Sequence, residues 1–423
     1  MRTIVIGAGA VGNATAFYLH KLGHEVTVIE RQPAAALETS FGNGGVIHAS
    51  EVEPWSQPGM PRKILSWLGK ENAPLLLRYG AIPHMWRWGL DFIANCNEAK
   101  FRNNAAANLR LALLSLRSLH EIGAETGVSY DRGARGVMKI YRDPRSMDTA
   151  DASCAILAKE GLLYRRVSPA ECARIEPALG PTASTLVGGL YFERDEAGDP
   201  NKFTQGVADW LAARGVTYRF RTTAKRLVRE GGRISAVETS RGDVAGDVVV
   251  AAMGSFTPLL LRPLGIRLPV YPVKGISLTV PAAPWPGALK MPVIDDSGLF
   301  GLVPIGDRIR VSGSAEIARY DATPSPVRGQ AVVDNVLRTF PDFARCYDAR
   351  TAKWWAGLRP VTPSGVAYMG RTPLPNLFVN AGHGHLGWTM SCGAGRVVAA
   401  IAAGHTPDID LAGFPVVPGA TPH

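Results

Sequence analysis

The chain opens MRTIVIGAGAVGNATAFYLHKLGHEVTVIE (residues 1–30), and this stretch decides the fold. Residues 3–6 are short, apolar and β-rich, and they run directly into Gly7-Ala8-Gly9-Ala10-Val11-Gly12. Residues 13–22 carry a helical pattern that Gly23 stops, and EVTVI (25–29) is a second strand ending at Glu30. Strand, glycine turn, helix and second strand within about thirty residues make a βαβ unit. Each glycine of the G-x-G-x-x-G run has its own physical duty. Gly7 permits the tight turn, Gly9 lets the backbone approach a pyrophosphate, and Gly12 lets helix and sheet pack closely. The helix N-terminus adds free N–H groups and a positive field, and Glu30 is placed to accept the ribose hydroxyls of an adenosine. The spacing predicts a dinucleotide site on Gly7, Gly9, Ala10, Val11, Gly12 and Glu30.

Three further segments favour FAD over NAD. Thr39-Ser40 with Asn43-Gly44-Gly45 forms a polar loop suited to a long dinucleotide. VVVAAMGS (248–255) is a buried strand that leads through Ala252 to Gly254. GHGHLGWT (382–389) joins a strand at 377–380 to a helix at 391–403, and N–H groups at such a junction stabilise the negative charge of a reduced flavin ring. Elsewhere the patterns predict strands at 136–141, 216–220 and 233–239, and helices at 146–161, 169–176, 204–214 and 326–340. A longer helix at 105–126 carries a core-facing stripe of Leu109, Leu113, Leu116 and Leu119. Residues 268–317 alternate short strands with turns, as in an antiparallel sheet. The expected fold is α/β: an FAD-binding Rossmann-like domain with a parallel sheet (1–60, 195–260, 355–423) and a mainly antiparallel substrate domain (61–194, 261–354).

Composition narrows the class. The 423 residues suit two or three domains. The net charge of +10 is spread along the chain, which fits a polyanionic cofactor and a carboxylate substrate better than nucleic acid. Five cysteines without a CxxC pair argue against a disulfide scaffold, a zinc site and an iron–sulfur cluster, so no metal is expected. No leader is visible and no run of eighteen apolar residues occurs, so a cytoplasmic protein is expected. Residues 63–95 are rich in Trp, Leu and Ile with Lys63, Lys70, Arg78 and Arg87 interspersed. Two readings stand: an interfacial element on the inner face of the membrane, or helices packed in the core or on another subunit. Neither GxSxG nor HExxH occurs, so no hydrolase signature competes.

The segments 25–45, 51–68, 201–220, 269–280, 355–372 and 376–396 together resemble the FAD-dependent D-amino-acid dehydrogenase small-subunit family. That family lies within the D-amino-acid oxidase, glycine oxidase and sarcosine oxidase superfamily, and the likeness covers nearly the whole chain. The resemblance implies non-covalent FAD held by Gly7, Gly9, Gly12, Glu30, Arg31, Ser40, Gly44, Gly45, Gly254 and Gly384, His385, Leu386, Gly387, Trp388 and Thr389, with Ala224 beside the adenine. Cys392, the cysteine nearest the tail motif, is read as a structural thiol rather than a flavin link. Arg359, in GLRP, is the implied anchor of the substrate carboxylate, and its planar fork suits that task. Tyr271 is a second candidate, either lining the pocket or packed in the core. Lys274 is read either near the flavin or in a structural ion pair, and His48 either at the flavin edge or in a structural place. Departures from the family pattern are His48, His385 and Ser364, the last standing where an aspartate is usual. The implied reaction is oxidation of a D-amino acid at Cα to an imine, with electrons passed to a quinone or another non-oxygen acceptor. Alternatives are a D-proline or D-hydroxyproline dehydrogenase, an oxygen-using glycine or amine oxidase, and a non-catalytic FAD-holding subunit.

Overall fold

In the computed structural model, which describes residues 1–71 and 73–421, the opening strand Arg2–Ile6 lies inside a six-stranded sheet. The spatial order is Tyr368–Arg371, Leu377–Ala381, Val248–Ala251, Arg2–Ile6, Glu25–Ile29, Thr217–Arg219. All neighbours are parallel except the first pair. Strand Val248–Ala251 is buried throughout, which explains its unbroken VVVA run. One face is covered by the helices Ala10–Lys21 and Gly387–Ala402. Their close approach depends on the small residues of SCGAGR: a Cβ on Gly395 would stand 2.6 Å from the Ala14 backbone.

A second, larger sheet runs Trp354–Val361, Tyr271–Pro281, Arg308–Ile317, Phe300–Ile305, Val293–Asp295, Val137–Tyr141, Gly188–Phe192, Arg165–Val167. It is antiparallel except where Val293–Asp295 meets Val137–Tyr141 and where Leu75–Leu77 adds to Arg308–Ile317. Helix Pro326–Thr339 packs Val332, Val333 and Val336 into the core of this unit.

Several boundaries differ from the sequence reading, each for a local reason. The long helix is Glu98–Thr126, beginning seven residues before the expected start, because the Asn97 side chain accepts from the Lys100 N–H at 3.1 Å and caps it. It packs on both layers: Ala107, Leu111, Leu114, Leu119 and Ile122 join the core around the opening helix, while Ala105, Leu109 and Ala112 pack with Tyr141, Leu190 and Phe192 of the antiparallel sheet. Of the expected stripe, Leu109 and Leu119 are buried, while Leu113 and Leu116 are half-buried. The helix expected at 204–214 is Pro200–Ala212, capped by Asp199, whose carboxylate accepts from Asn201 N–H at 2.9 Å. The last helix begins at Gly387 rather than 391. Strand Trp354–Val361 belongs to the antiparallel sheet, although residues from 355 on were expected in the nucleotide domain.

The segment 63–95 is divided: Leu76 and Ala81 are buried and Trp88 packs on Tyr271, while its two helices lie largely at the surface. Helix Met60–Trp67 buries no residue and helix Ile82–Asn95 buries only Phe92. Leu65, Trp86, Leu90 and Ile93 are each more than half exposed. Among the described residues no helix is long and apolar enough to cross a membrane.

Candidate active site

A cleft of about 340 Å³ follows the ends of the parallel strands and runs under the edge of the antiparallel sheet. Three parts of the chain build its nucleotide half. The glycine turn contributes Gly7, Gly9, Ala10 and Val11, the end of the second strand contributes Ile29 with Glu30 and Arg31 just beyond it, and the loop that follows contributes Thr39, Ser40 and Asn43. Glu30 is oriented from both sides, accepting the Ala8 N–H at 2.8 Å and the Gln32 N–H at 2.8 Å. Burial pushes its carboxyl above the ordinary range, and the two N–H groups oppose that. The Arg31 guanidinium stacks 3.9 Å from the Phe256 ring. The Ser40 hydroxyl accepts the Ala10 N–H at 3.1 Å, so the polar loop is tied to the helix start. Ala224, Ala252 and Gly254 line the same half.

The glycine turn has the shape of a phosphate cradle. Gly7 has φ +106° and no space for a Cβ, which would meet the Ala252 carbonyl at 2.6 Å. At Gly12 a Cβ would lie 1.9 Å from the Gly7 carbonyl oxygen, so this glycine serves packing and does not itself line the cleft. At Gly9 a Cβ meets only the Ser40 hydroxyl, at 3.5 Å, because the position faces the open cleft. Three buried polar atoms on residues lining the cleft also lack partners: Asn380 Oδ1, His383 Nε2 and Trp388 Nε1. Orphans of this kind are expensive unless a bound group meets them. A glycine cradle, an oriented carboxylate and unpaired polar atoms at the far end together fit a dinucleotide such as FAD.

The far half is built by Arg359, Gly384, His385, Gly387 and Trp388. Arg359 donates to the Ser314 carbonyl at 3.0 Å and lies 5.9 Å from the Trp55 ring centroid. It extends over Gly275, where a Cβ would collide with the guanidinium carbon at 2.3 Å. Burial alone draws its pKa down to about 10, and among the described residues no carboxylate pairs with it. The His385 ring stacks on Trp55 at 5.3 Å, and its Nε2 is 3.2 Å from the Glu51 carbonyl. Burial draws His48, His383 and His385 to about 4, so all three imidazoles are neutral near pH 7. His48 stands behind the lining, its backbone N–H donating to the Thr389 hydroxyl at 3.3 Å and its ring Nδ1 unpartnered among the described residues.

Other expected residues stand outside the lining. Gly44 and Gly45 underlie the polar loop, the former beside the Ser312 hydroxyl and the latter against Ile305. Leu386 is a core residue, and Thr389 serves as the acceptor for His48. Tyr271 packs against Trp88 with its hydroxyl buried and unpartnered. Of the two readings of Lys274, the geometry carries the structural ion pair, and the residue is not among those lining the cleft. It is buried in an ion pair with Glu316 (3.2 Å) and Asp321 (2.9 Å) on the opposite side of its strand. Ser364 makes a turn contact, its hydroxyl accepting the Val366 N–H at 3.2 Å. Cys392 is fully buried in the core between helices, which suits a structural thiol. Residues that sequence reasoning did not place include Thr222, Thr223, Lys225, Met253, Phe256 and Asn380. The last was detectable, being a polar residue at the end of the apolar strand NLFVN.

Comparison with known proteins agrees with this geometry. The model of the family described as FAD dependent oxidoreductase (DAO) matches residues 2–401. A protein named D-amino acid dehydrogenase from Paramagnetospirillum magneticum is 46% identical over 415 residues, covering 98% of each chain. Another of the same name from Methylobacterium nodulans is 43% identical over 417 residues, again covering 98% of each. Glycine oxidase from Geobacillus kaustophilus shares the fold with a TM-score of 0.76 at 22% identity, covering 97% of both chains. L-proline dehydrogenase from P. horikoshii has a TM-score of 0.75 at 21% identity, covering 96% of this chain and 94% of that one. With the family model spanning nearly the whole length and a cleft fitted to its cofactor, this chain belongs to the FAD-dependent oxidoreductase family.

Proposed function

We propose that this protein is a D-amino acid dehydrogenase that oxidises its substrate at Cα and hands the electrons to a quinone or similar carrier. The observation that carries the substrate class is Arg359, a desolvated guanidinium at the far end of a dinucleotide cleft that pairs with no carboxylate among the described residues. A substrate carboxylate would complete it through a charge-assisted, bidentate pair. The preference for D-amino acids rests on the names of the relatives at 41–46% identity. FAD would be held by the glycine cradle, Glu30, the 39–45 loop, and the segment 384–389, and when bound it supplies the acceptor for the Cα hydride. The chain's own residues orient and desolvate. Arg359 fixes the carboxylate, Trp55 and His385 wall the site, and the neutral imidazoles add no positive charge that would repel a substrate ammonium. Substrate leaves as an imine, which water converts to a 2-oxo acid and ammonia.

Anaerobic bleaching of the yellow protein near ~450 nm tests this reading. D-amino acids are expected to bleach the flavin, with slow recovery in air and fast recovery on adding a quinone. L-amino acids are expected to leave it yellow. Bleaching by L-amino acids alone, or by none, would sink it, and fast recovery in air with peroxide formed in step would point to an oxidase.

The quinone acceptor is supported by the exposed face of helices Met60–Trp67 and Ile82–Asn95. Leu65, Trp86, Leu90 and Ile93 are accompanied there by exposed Arg62, Lys63, Lys70 and Arg87. Apolar side chains beside basic ones match the surface of an anionic bilayer. Replacing Leu65, Trp86 and Leu90 together by serine is expected to lower binding to phosphatidylglycerol-containing vesicles about tenfold or more, with dye-linked turnover unchanged. Equal sedimentation of variant and parent with the vesicles would exclude this face as the contact.

A further inference from the structure

Next to His385, through the Glu51 carbonyl, stands a group of charged side chains that the chemistry above leaves without a task. Lys139 Nζ lies 2.7 Å from Glu51 Oε1 and 3.7 Å from the Asp296 carboxylate. Glu53 accepts from the Ser153 hydroxyl close by. The Tyr141 side chain is 1% exposed and its hydroxyl has no partner, while the Lys139 ammonium sits 5.8 Å from its ring centroid. His385 Nε2 approaches the Glu51 carbonyl, and the charges of Glu51 and Lys139 both act on the His48 and His385 rings. The group therefore adjoins the amino-acid site.

Two features point to a ligand. First, Lys139, Glu51 and Asp296 are deep enough for burial to weigh heavily on their titration, yet their side chains keep 15, 23 and 33% of their area exposed. That open area leaves the Glu51 and Asp296 carboxylates within reach of a ligand beside His385. Second, the charges do not balance. Glu51, Glu53 and Asp296 are three carboxylates beside one ammonium, and the two imidazoles are neutral near pH 7. The surroundings of His385 are thus negative on the Glu51 side, with the positive Arg359 among the residues of the cleft. An incompletely paired buried group is costly unless something supplies the missing charge.

We infer that Glu51, supported by Asp296, is the side-chain subsite and selects amino acids whose side chain ends in an ammonium or guanidinium. Lys139 takes one Glu51 oxygen and fixes the carboxylate, leaving the other oxygen to pair with a cationic side chain. An anionic side chain could pair only with Lys139 and would meet three carboxylates in doing so. This inference rests on the cleft being an amino-acid oxidising site, so the test separates the two.

The experiment is dye-linked kinetics of the FAD-loaded enzyme with D-lysine, D-arginine, D-norleucine and D-glutamate. The parent is expected to favour D-lysine over D-norleucine by about tenfold or more in kcat/KM. Glu51→Gln is expected to remove that preference by raising KM for D-lysine and D-arginine about tenfold, with D-norleucine changed by less than about threefold. FAD content and bleaching by D-norleucine report that the variant is folded. A parent that prefers D-norleucine or D-glutamate overturns the inference, as does a Glu51→Gln variant that loses all substrates alike. Turnover of neutral D-amino acids in those cases leaves the dehydrogenase reading standing. A parent bleached by no D-amino acid overturns both.

Discussion

Arg359→Ala is expected to lower kcat/KM for the best D-amino acid about a thousandfold while the protein keeps its FAD. The guanidinium is drawn to a pKa of about 10 by burial, and no carboxylate among the described residues compensates it. Its one hydrogen bond recorded within the protein is the donation to the Ser314 carbonyl. The site is therefore built to receive an anion, and a carboxylate that enters is met by a fixed, desolvated fork. Losing one partner of a buried charge pair costs about 2–5 kcal/mol, and 4 kcal/mol is about a thousandfold. The loss should fall chiefly on the dissociation constant measured from the substrate dependence of flavin reduction. Arg359→Lys keeps the charge and loses the planar fork, so an intermediate defect is expected. Gly275 bears on the same point, since only a residue without a side chain leaves room for this guanidinium. An alanine variant with undiminished affinity for the carboxylate would remove Arg359 from the site.

How far this could be read from the sequence depended on how local the signal was. The βαβ unit was legible because its turn, helix and two strands are adjacent and each glycine has a distinct steric duty. Boundaries failed where a cap set them: Asn97 and Asp199 start their helices well before the apolar pattern does. Lys274 shows the limit of motif proximity. It pairs with Leu358 in register, one residue from Arg359's partner Val273, and strand alternation sends the two side chains to opposite faces. Tyr271 shares a face with Val273 and Gly275 but lies toward Trp88, away from the guanidinium. Glu51 and Lys139 carried no signal at all, because 88 positions separate them and only the packing of the antiparallel sheet beside the 46–55 segment joins them. The helices of 60–95 were ambiguous for another reason. An apolar stripe with interspersed lysine and arginine looks the same whether it faces a core, a partner or a bilayer.

The second large effect belongs to the glycine turn, where two single-methyl changes should fail in different ways. Gly12→Ala is expected to yield a colourless protein whose thermal midpoint is lowered even without cofactor. Its Cβ would stand 1.9 Å from the Gly7 carbonyl oxygen. Gly7 cannot retreat, since a Cβ built there already lies 2.6 Å from Ala252, and its φ of +106° commits it to the turn. The helix must then move off the sheet, and with it the N–H groups that face the cleft. Gly9→Ala meets no such obstacle, its nearest neighbour being the Ser40 hydroxyl at 3.5 Å. It should leave the apoprotein's midpoint unchanged and weaken FAD affinity about a hundredfold, because the methyl projects into the space where backbone and pyrophosphate must touch. The ratio of flavin to protein absorbance and the melting curve of the stripped protein measure the two effects separately. Were Gly9→Ala to retain its flavin as tightly as the parent, the pyrophosphate would have to lie elsewhere in the cleft. Were Gly12→Ala to melt like the parent when stripped, the helix would be free to move off the strand, and the third glycine would serve contact with the cofactor rather than packing.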